Sequence, residues 1–159
     1  MFIRPASVGG LMSKASAAEQ LFRDHANCAQ AVLIPFAGEH GVSAATASDI
    51  ASGFGGGMAR LQGTCGAITG ACMALGIAIG AREPDATKAK DATAAAFREF
   101  QKRFIGLHGE TTCRALLNVD LNTEEGRAAH AQNKLRETIC TPCVRDAAMI
   151  VEELLALPT

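Results

Sequence analysis

Apolar and polar positions recur with a period of about 3.6 residues from residue 13 to residue 157, and no stretch alternates with period two. The pattern predicts helices and no sheet. Residues 13–25 form a short amphipathic helix with Ala17, Leu21 and Phe22 on one face. Asn27 is placed to cap a second helix that runs from Cys28 towards Glu39, with Pro35 bending or ending it and Gly41 closing it. Ser43 opens a third helix over 44–52. The glycines at 53, 55, 56 and 57 then read as a hinge or a close helix contact.

The most apolar segment, from Cys65 to about Ala81, predicts a buried central helix. Its small residues (Gly66, Ala67, Gly70, Ala71, Ala74, Ala78) would let a neighbouring backbone approach closely. A long helix from Pro84 to about Leu107 carries Phe97, Phe100 and Phe104 at helical spacing, with Gly109 beyond its end. Residues 113–118 form a helical turn. A polar helix follows from Thr123 to about Thr138, and a last helix opens at Pro142 with Val144, Ala147, Ile150, Val151 and Leu154 on its apolar face. The expected fold is all-α, a compact bundle of five to seven helices. Residues 1–12 read as a loose tail and 13–159 as a single helical, cysteine-rich domain.

Composition narrows the function classes. The chain has 159 residues, enough to bury a core without disulfides, and a formal net charge of −1, which gives no electrostatic footprint for nucleic acid. The Gly66–Gly80 run falls short of the roughly 20 apolar residues that cross a bilayer. The N-terminal residues lack the apolar run of a secretory signal, so a cytoplasmic location is expected.

Six cysteines then become the informative feature, because clustered cysteines in a reducing compartment are more often reactive or metal-binding than structural. Cys28, Cys65, Cys113 and Cys140 fall at or near predicted helix starts, where free N–H groups and the helix dipole favour a thiolate. Cys72 lies seven residues after Cys65, on the same face if both are helical, and reads as a small core residue. Cys140-Thr-Pro-Cys143 is a CxxC without the βαβ surroundings of a thioredoxin and without the following His of a haem attachment site. His25, His40, His108 and His130 are scattered and read as surface or capping residues. His25 and His108 are the two placed to tune a thiol, by their nearness in sequence to Cys28 and Cys113.

The stretches Asn27-Cys28-Ala29-Gln30-Ala31-Val32-Leu33, Phe54-Gly55-Gly56-Gly57-Met58 and Cys65-Gly66-Ala67-Ile68-Thr69-Gly70-Ala71 together resemble the C_GCAxxG_C_C family. That family is defined by four cysteines around a CGAxxG motif and carries a redox-active label. The resemblance continues through Cys113-Arg114-Ala115-Leu116-Leu117 to Cys140 and Val144-Arg145-Asp146-Ala147-Ala148. It implies that Cys28, Cys65, Cys113 and Cys140 are the functional set and that Cys72 and Cys143 are extras. It also implies an association with membrane transporters. The haem of a related cytochrome domain does not carry over, since CxxCH is absent.

Three readings follow. In the first, the protein is a thiol-dependent oxidoreductase acting on a small-molecule or protein thiol. Cys65 is then the nucleophile, with Cys28, Cys113 or Cys140 resolving. In the second, the same four thiolates hold an iron–sulfur cluster or another metal, although spacings of 37, 48 and 27 residues match no compact ferredoxin run. In the third, the protein is a non-catalytic partner of a transporter. A homodimer is the default association. Cys65 is expected to react fastest with a thiol probe, with Gly66 leaving its approach open, and Cys72 to lag.

Overall fold

The computed structural model describes residues 12–157, so the expected tail over 1–12 lies outside the described residues except for Met12. Among the described residues eight α-helices follow one another: α1 (Lys14–Arg23), α2 (Cys28–Ala37), α3 (Ala44–Ala51), α4 (Gly66–Arg82), α5 (Ala86–His108), α6 (Cys113–Leu117), α7 (Glu124–Gln132) and α8 (Thr141–Ala156). Among the described residues the only β pairing is a single antiparallel bridge between Thr64 and Thr112.

The fold is all-α as expected, with one helix more than the upper expectation of seven. The additional helix is α6, a segment of 113–118 that reads in the sequence as no more than a turn. It is a helix in its own right because both ends are capped. The Thr112 side chain accepts from the Ala115 N–H, and Asn118 adopts a left-handed conformation at φ 51°. Two boundaries also move. α2 passes through Pro35 to Ala37, and α7 stops at Gln132, because Lys134 turns left-handed at φ 50°.

α4 is the central helix that its apolar sequence predicts. It packs on α2, α5 and α8, while α1 lies on α2 and α8. Ala67, Ile68, Ala71, Ala74, Leu75 and Ala78 are fully buried on it. The small residues allow backbone-level contact: a Cβ on Gly70 would stand 2.7 Å from the Ala29 carbonyl oxygen of α2. On α5, Phe97, Phe100 and Phe104 stack in sequence at 5.8 Å between successive ring centroids, with Phe100 and Phe104 fully buried. The chain has no Trp or Tyr, so Phe22, Phe100 and Phe104 are the bulkiest fully buried side chains among the described residues.

Asn27 does more than start α2. Its side chain accepts from the Gln30 N–H, and the Gln30 side chain accepts in return from the Asn27 N–H, completing a capping box. Its amide also donates to the carbonyls of Ala51 and Ser52 at 3.2 and 3.1 Å, tying the end of α3 to the start of α2. Asn27→Ala should therefore lower the unfolding free energy by about 2 kcal/mol, at the upper end for a lost cap, because two further carbonyls lose their donor. Urea denaturation of the reduced protein measures it.

Candidate functional site: a cluster of five thiols

Five of the six cysteines meet at one end of the bundle. Cys28, Cys65, Cys113, Cys140 and Cys143 line a single small cavity together with Gly56, Gly57, Gly66, Leu116, Leu117 and Ile139. All are free thiols. The four positions singled out in the sequence are thus brought together, and Cys143 joins them.

Each cysteine arrives by a different local device. Cys28 is the first residue of α2, directly after its Asn27 cap. Cys65 is itself the residue that caps α4. Cys113 opens α6 after Thr112. A backbone clip holds the last two side by side: the Cys65 N–H donates to Thr111 O at 2.9 Å and the Cys113 N–H to Gly63 O at 2.7 Å. Cys140 is not at a free helix start, contrary to expectation. It ends a π-helical turn over Arg136–Cys140 that runs straight into α8. Pro142 has no N–H to donate to the carbonyl four residues back, and the wider turn absorbs that defect. Continuity of the helix puts Cys140 and Cys143 about one turn apart, both turned towards the cluster.

Glycines make room for the sulfurs. A Cβ on Gly66 would lie 2.9 Å from the Cys28 Cβ, and one on Gly57 would lie 2.8 Å from the Cys113 Cβ. Gly66 therefore does not open a path to Cys65. It lets the start of α4 close on Cys28.

The thiols are coupled electrostatically as two pairs, Cys65 with Cys143 and Cys28 with Cys140, and in each pair one thiol favours the thiolate of the other: Cys143 for Cys65 and Cys28 for Cys140. For Cys65 the Cys143 donor is the main influence lowering its pKa; burial opposes it, and the nearby N–H groups of Ala67 and Ile68 assist. For Cys140 the Cys28 donor dominates, burial and the Cys65 charge oppose it, and Arg136 assists. The two donors move the other way. Cys28 is pushed up by its hydrogen bond to Cys140, by burial and by neighbouring cysteines. Cys143 is pushed up by its hydrogen bond to Cys65 and by burial. Cys113, between the pairs, is raised to about 12, chiefly by burial. The set therefore holds two thiolate-prone sulfurs, each beside a cysteine whose pKa is raised.

The pairs differ in access. A larger cavity of about 640 Å³ opens over Cys28, Cys113 and Cys140 but does not reach Cys65 or Cys143. Cys65 is 7% exposed and Cys143 1%, whereas Cys28 and Cys140 are only partly buried. Cys28 and Cys140 form an outer dithiol, and Cys65 and Cys143 an inner one. Cys65 has the thiolate-favouring surroundings expected for it but lies behind the outer pair.

Cys72 stands apart. It borders a shallow groove between α4 and α5 with Gly76, Gly80 and Phe97, and partial burial raises its pKa. The seven-residue relation to Cys65 fails because Cys65, with ψ 134°, is not itself helical.

The histidines divide as well. His25 and His130 border the larger cavity. His108 meets Cys143 rather than Cys113: its Nδ1 lies 3.6 Å from the Cys143 Sγ, and its Nε2 lies 3.1 Å from an Asp146 carboxylate oxygen. Burial outweighs the Asp146 charge and lowers the His108 pKa. Sequence reasoning missed Asp146 and this role of His108. The CxxC spacing was the one signal that pointed to Cys143.

Among the described residues, no group of three His, Cys, Asp or Glu side chains is arranged to hold a metal ion. The cysteine count suits an iron–sulfur cluster. No helix among the described residues is long and apolar enough to cross a membrane.

An all-helical domain built around a buried thiol cluster is the class that fold and site define. The chain belongs to the C_GCAxxG_C_C family, described as "Putative redox-active protein", whose pattern matches residues 26–154. The match takes in all five clustered cysteines as well as His108 and Asp146. No curated protein and no solved structure matches the chain.

Proposed function

We propose that this protein carries out thiol–disulfide exchange, with Cys140 as the attacking thiolate and Cys28 as the resolving thiol. The observation that supports this reading most directly is the pairing of a thiolate-prone, partly exposed Cys140 with a protonated Cys28 on the floor of an open cavity. The Cys140 thiolate attacks one sulfur of a substrate disulfide, forms a mixed disulfide and expels the other substrate half as a thiolate. Cys28 loses its proton to that leaving thiolate and attacks the Cys140 sulfur. The second substrate half departs, and a Cys28–Cys140 disulfide remains. Two electrons pass to the substrate, and the Cys28 proton goes with them.

The inner pair can then restore the outer one. The Cys65 thiolate attacks Cys140 and releases Cys28 as a thiolate. Cys143 gives its proton, by way of the adjacent His108 Nδ1, to the Cys28 thiolate just released, attacks Cys65, and frees Cys140 as a thiolate. The outer dithiol is regenerated and the inner pair becomes the disulfide. Asp146 beside Nε2 stabilises the imidazolium formed in this step. The alternative metal-centre reading of Cys28, Cys65, Cys113 and Cys140 is less well supported, because no group of three or more such side chains among the described residues is arranged to hold a metal ion.

The test is stepwise oxidation of the fully reduced protein with one and then two equivalents of a small disulfide. Non-reducing peptide mapping then identifies the bonds. In the Cys65→Ser protein, where the outer pair cannot be reloaded from within, the first bond should be Cys28–Cys140. In the wild type the bonds present after two equivalents should be Cys28–Cys140 and Cys65–Cys143. A first bond between Cys140 and Cys143, or no bond among the five clustered cysteines, refutes the assignment.

A further inference from the structure

The cavity over Cys28 and Cys140 has a one-sided charge. Its lining includes His25, Arg60, His130 and Arg136 and no Asp or Glu, in a chain whose net charge is −1. Arg136 is held in place rather than left to wander. Its guanidinium lies 3.8 Å from the centroid of the Phe22 ring and donates to the Phe22 carbonyl at 2.6 Å. Its charge also reaches Cys140, in the direction that favours the thiolate. Among the described residues, neither Arg136 nor Arg60 has a carboxylate at ion-pair distance, whereas Arg23, Arg103, Arg114 and Arg145 each do. The nearby acid, Glu137, influences Cys140 but is not part of the lining.

Arg60 is presented by an unusual backbone. Gly56, Gly57, Met58, Ala59 and Arg60 are consecutive left-handed residues, with φ between 49° and 72°. For each of the three non-glycine residues this costs on the order of 1–2 kcal/mol. Strain of this kind survives only where surrounding packing enforces it, and it concentrates at ligand clamps. Here Gly56, Ala59 and Arg60 of the run line the cavity together with Arg136.

We propose that this cavity binds a small disulfide bearing carboxylates, with Arg136 and Arg60 holding the carboxylates while the S–S bond lies over Cys140. The inference names the substrate class for the exchange reaction proposed above and rests on that reading. A volume of about 640 Å³ is that of a small-molecule site. The basic lining also offsets the repulsion that an anionic substrate would meet from the Cys140 thiolate itself.

Three disulfides with a common dithiodiethyl core separate the two claims. They are 3,3′-dithiodipropionate (dianionic), bis(2-hydroxyethyl) disulfide (neutral) and cystamine (dicationic). At low ionic strength the reduced full chain should react about tenfold faster with the dianion than with the neutral compound. Cystamine should be slowest, and the spread should shrink with added salt. Arg60→Gln should lower the dianion-to-neutral ratio. Arg136→Gln should lower the same ratio and, because it also influences Cys140, slow all three. Suberate, in which carbon replaces both sulfurs of the dianion, supplies a readout that needs no exchange. It should protect Cys140 from iodoacetamide in the wild-type protein and lose that effect in both arginine variants. Prompt reaction with the neutral disulfide but no preference for the dianion, and no protection by suberate, would overturn the substrate class and leave exchange standing. Protection by suberate with no reaction towards any disulfide would support the anion site and overturn exchange.

Discussion

Cys140→Ser should reduce the rate of disulfide reduction by on the order of 10³-fold or more, because the attacking sulfur is gone and no other clustered sulfur is both thiolate-prone and open to the cavity. Cys28→Ser should behave differently. Attack by Cys140 still occurs, resolution does not, and the mixed disulfide should accumulate as a stable adduct visible in the intact mass. The pH dependence supplies a second readout. Cys140 has its pKa lowered by the Cys28 thiol that donates to it, so its alkylation rate should begin to rise with pH below the range of an ordinary cysteine. Removing that donor in Cys28→Ala raises the Cys140 pKa, and the onset should move to higher pH. An onset that stays in place in Cys28→Ala would show that the Cys28 thiol does not tune Cys140.

Gly57→Ala should be the most damaging single methyl group that can be added near the site. The added Cβ would lie 2.7 Å from both the N and the O of Gly63 and 2.8 Å from the Cys113 Cβ, at a backbone φ of +72°. Two costs combine: a left-handed non-glycine residue and overpacking against atoms that cannot swing away. Together they should remove about 3 kcal/mol or more of stability. Gly63 carries the carbonyl that receives the Cys113 N–H, so the same methyl group pushes apart the clip that holds Cys113 beside Cys65. A large loss of stability in urea denaturation, together with faster alkylation of Cys65 as the inner pair opens, is the expected combination. Gly53→Ala is the matched control: its Cβ would meet no atom within 4 Å, and it should be nearly neutral.

Much of this architecture is written locally. The period of about 3.6 residues, the capping residues Asn27, Ser43, Thr112 and Thr123, and the Gly/Ala face of α4 depend on neighbours within a turn or two, and each can be read directly from the chain. The set Cys28, Cys65, Cys113 and Cys140 was legible for a related reason: three of them sit where a cap or a helix start is encoded beside them. The division into an outer and an inner dithiol was not. It depends on which cysteine is coupled to which and on which of them the cavity reaches, and neither relation between residues dozens of positions apart leaves a trace in local spacing.

The same limit hid the relation of His108 and Asp146 to Cys143. The three residues come together only when the C-terminal end of α5 packs against the first turns of α8. The glycines at 53, 55, 56 and 57 read as a hinge or a close contact because permissive backbone is all that their sequence displays. In the fold those at 55, 56 and 57 are close-packed, and it is their neighbours (Asn27 for Gly55, Arg60 for Gly56, Cys113 for Gly57) that require them. Local propensity thus set the helices and the cysteine positions. Long-range packing decided the partner of each thiol, because burial and donor geometry exist only once distant segments share one cavity.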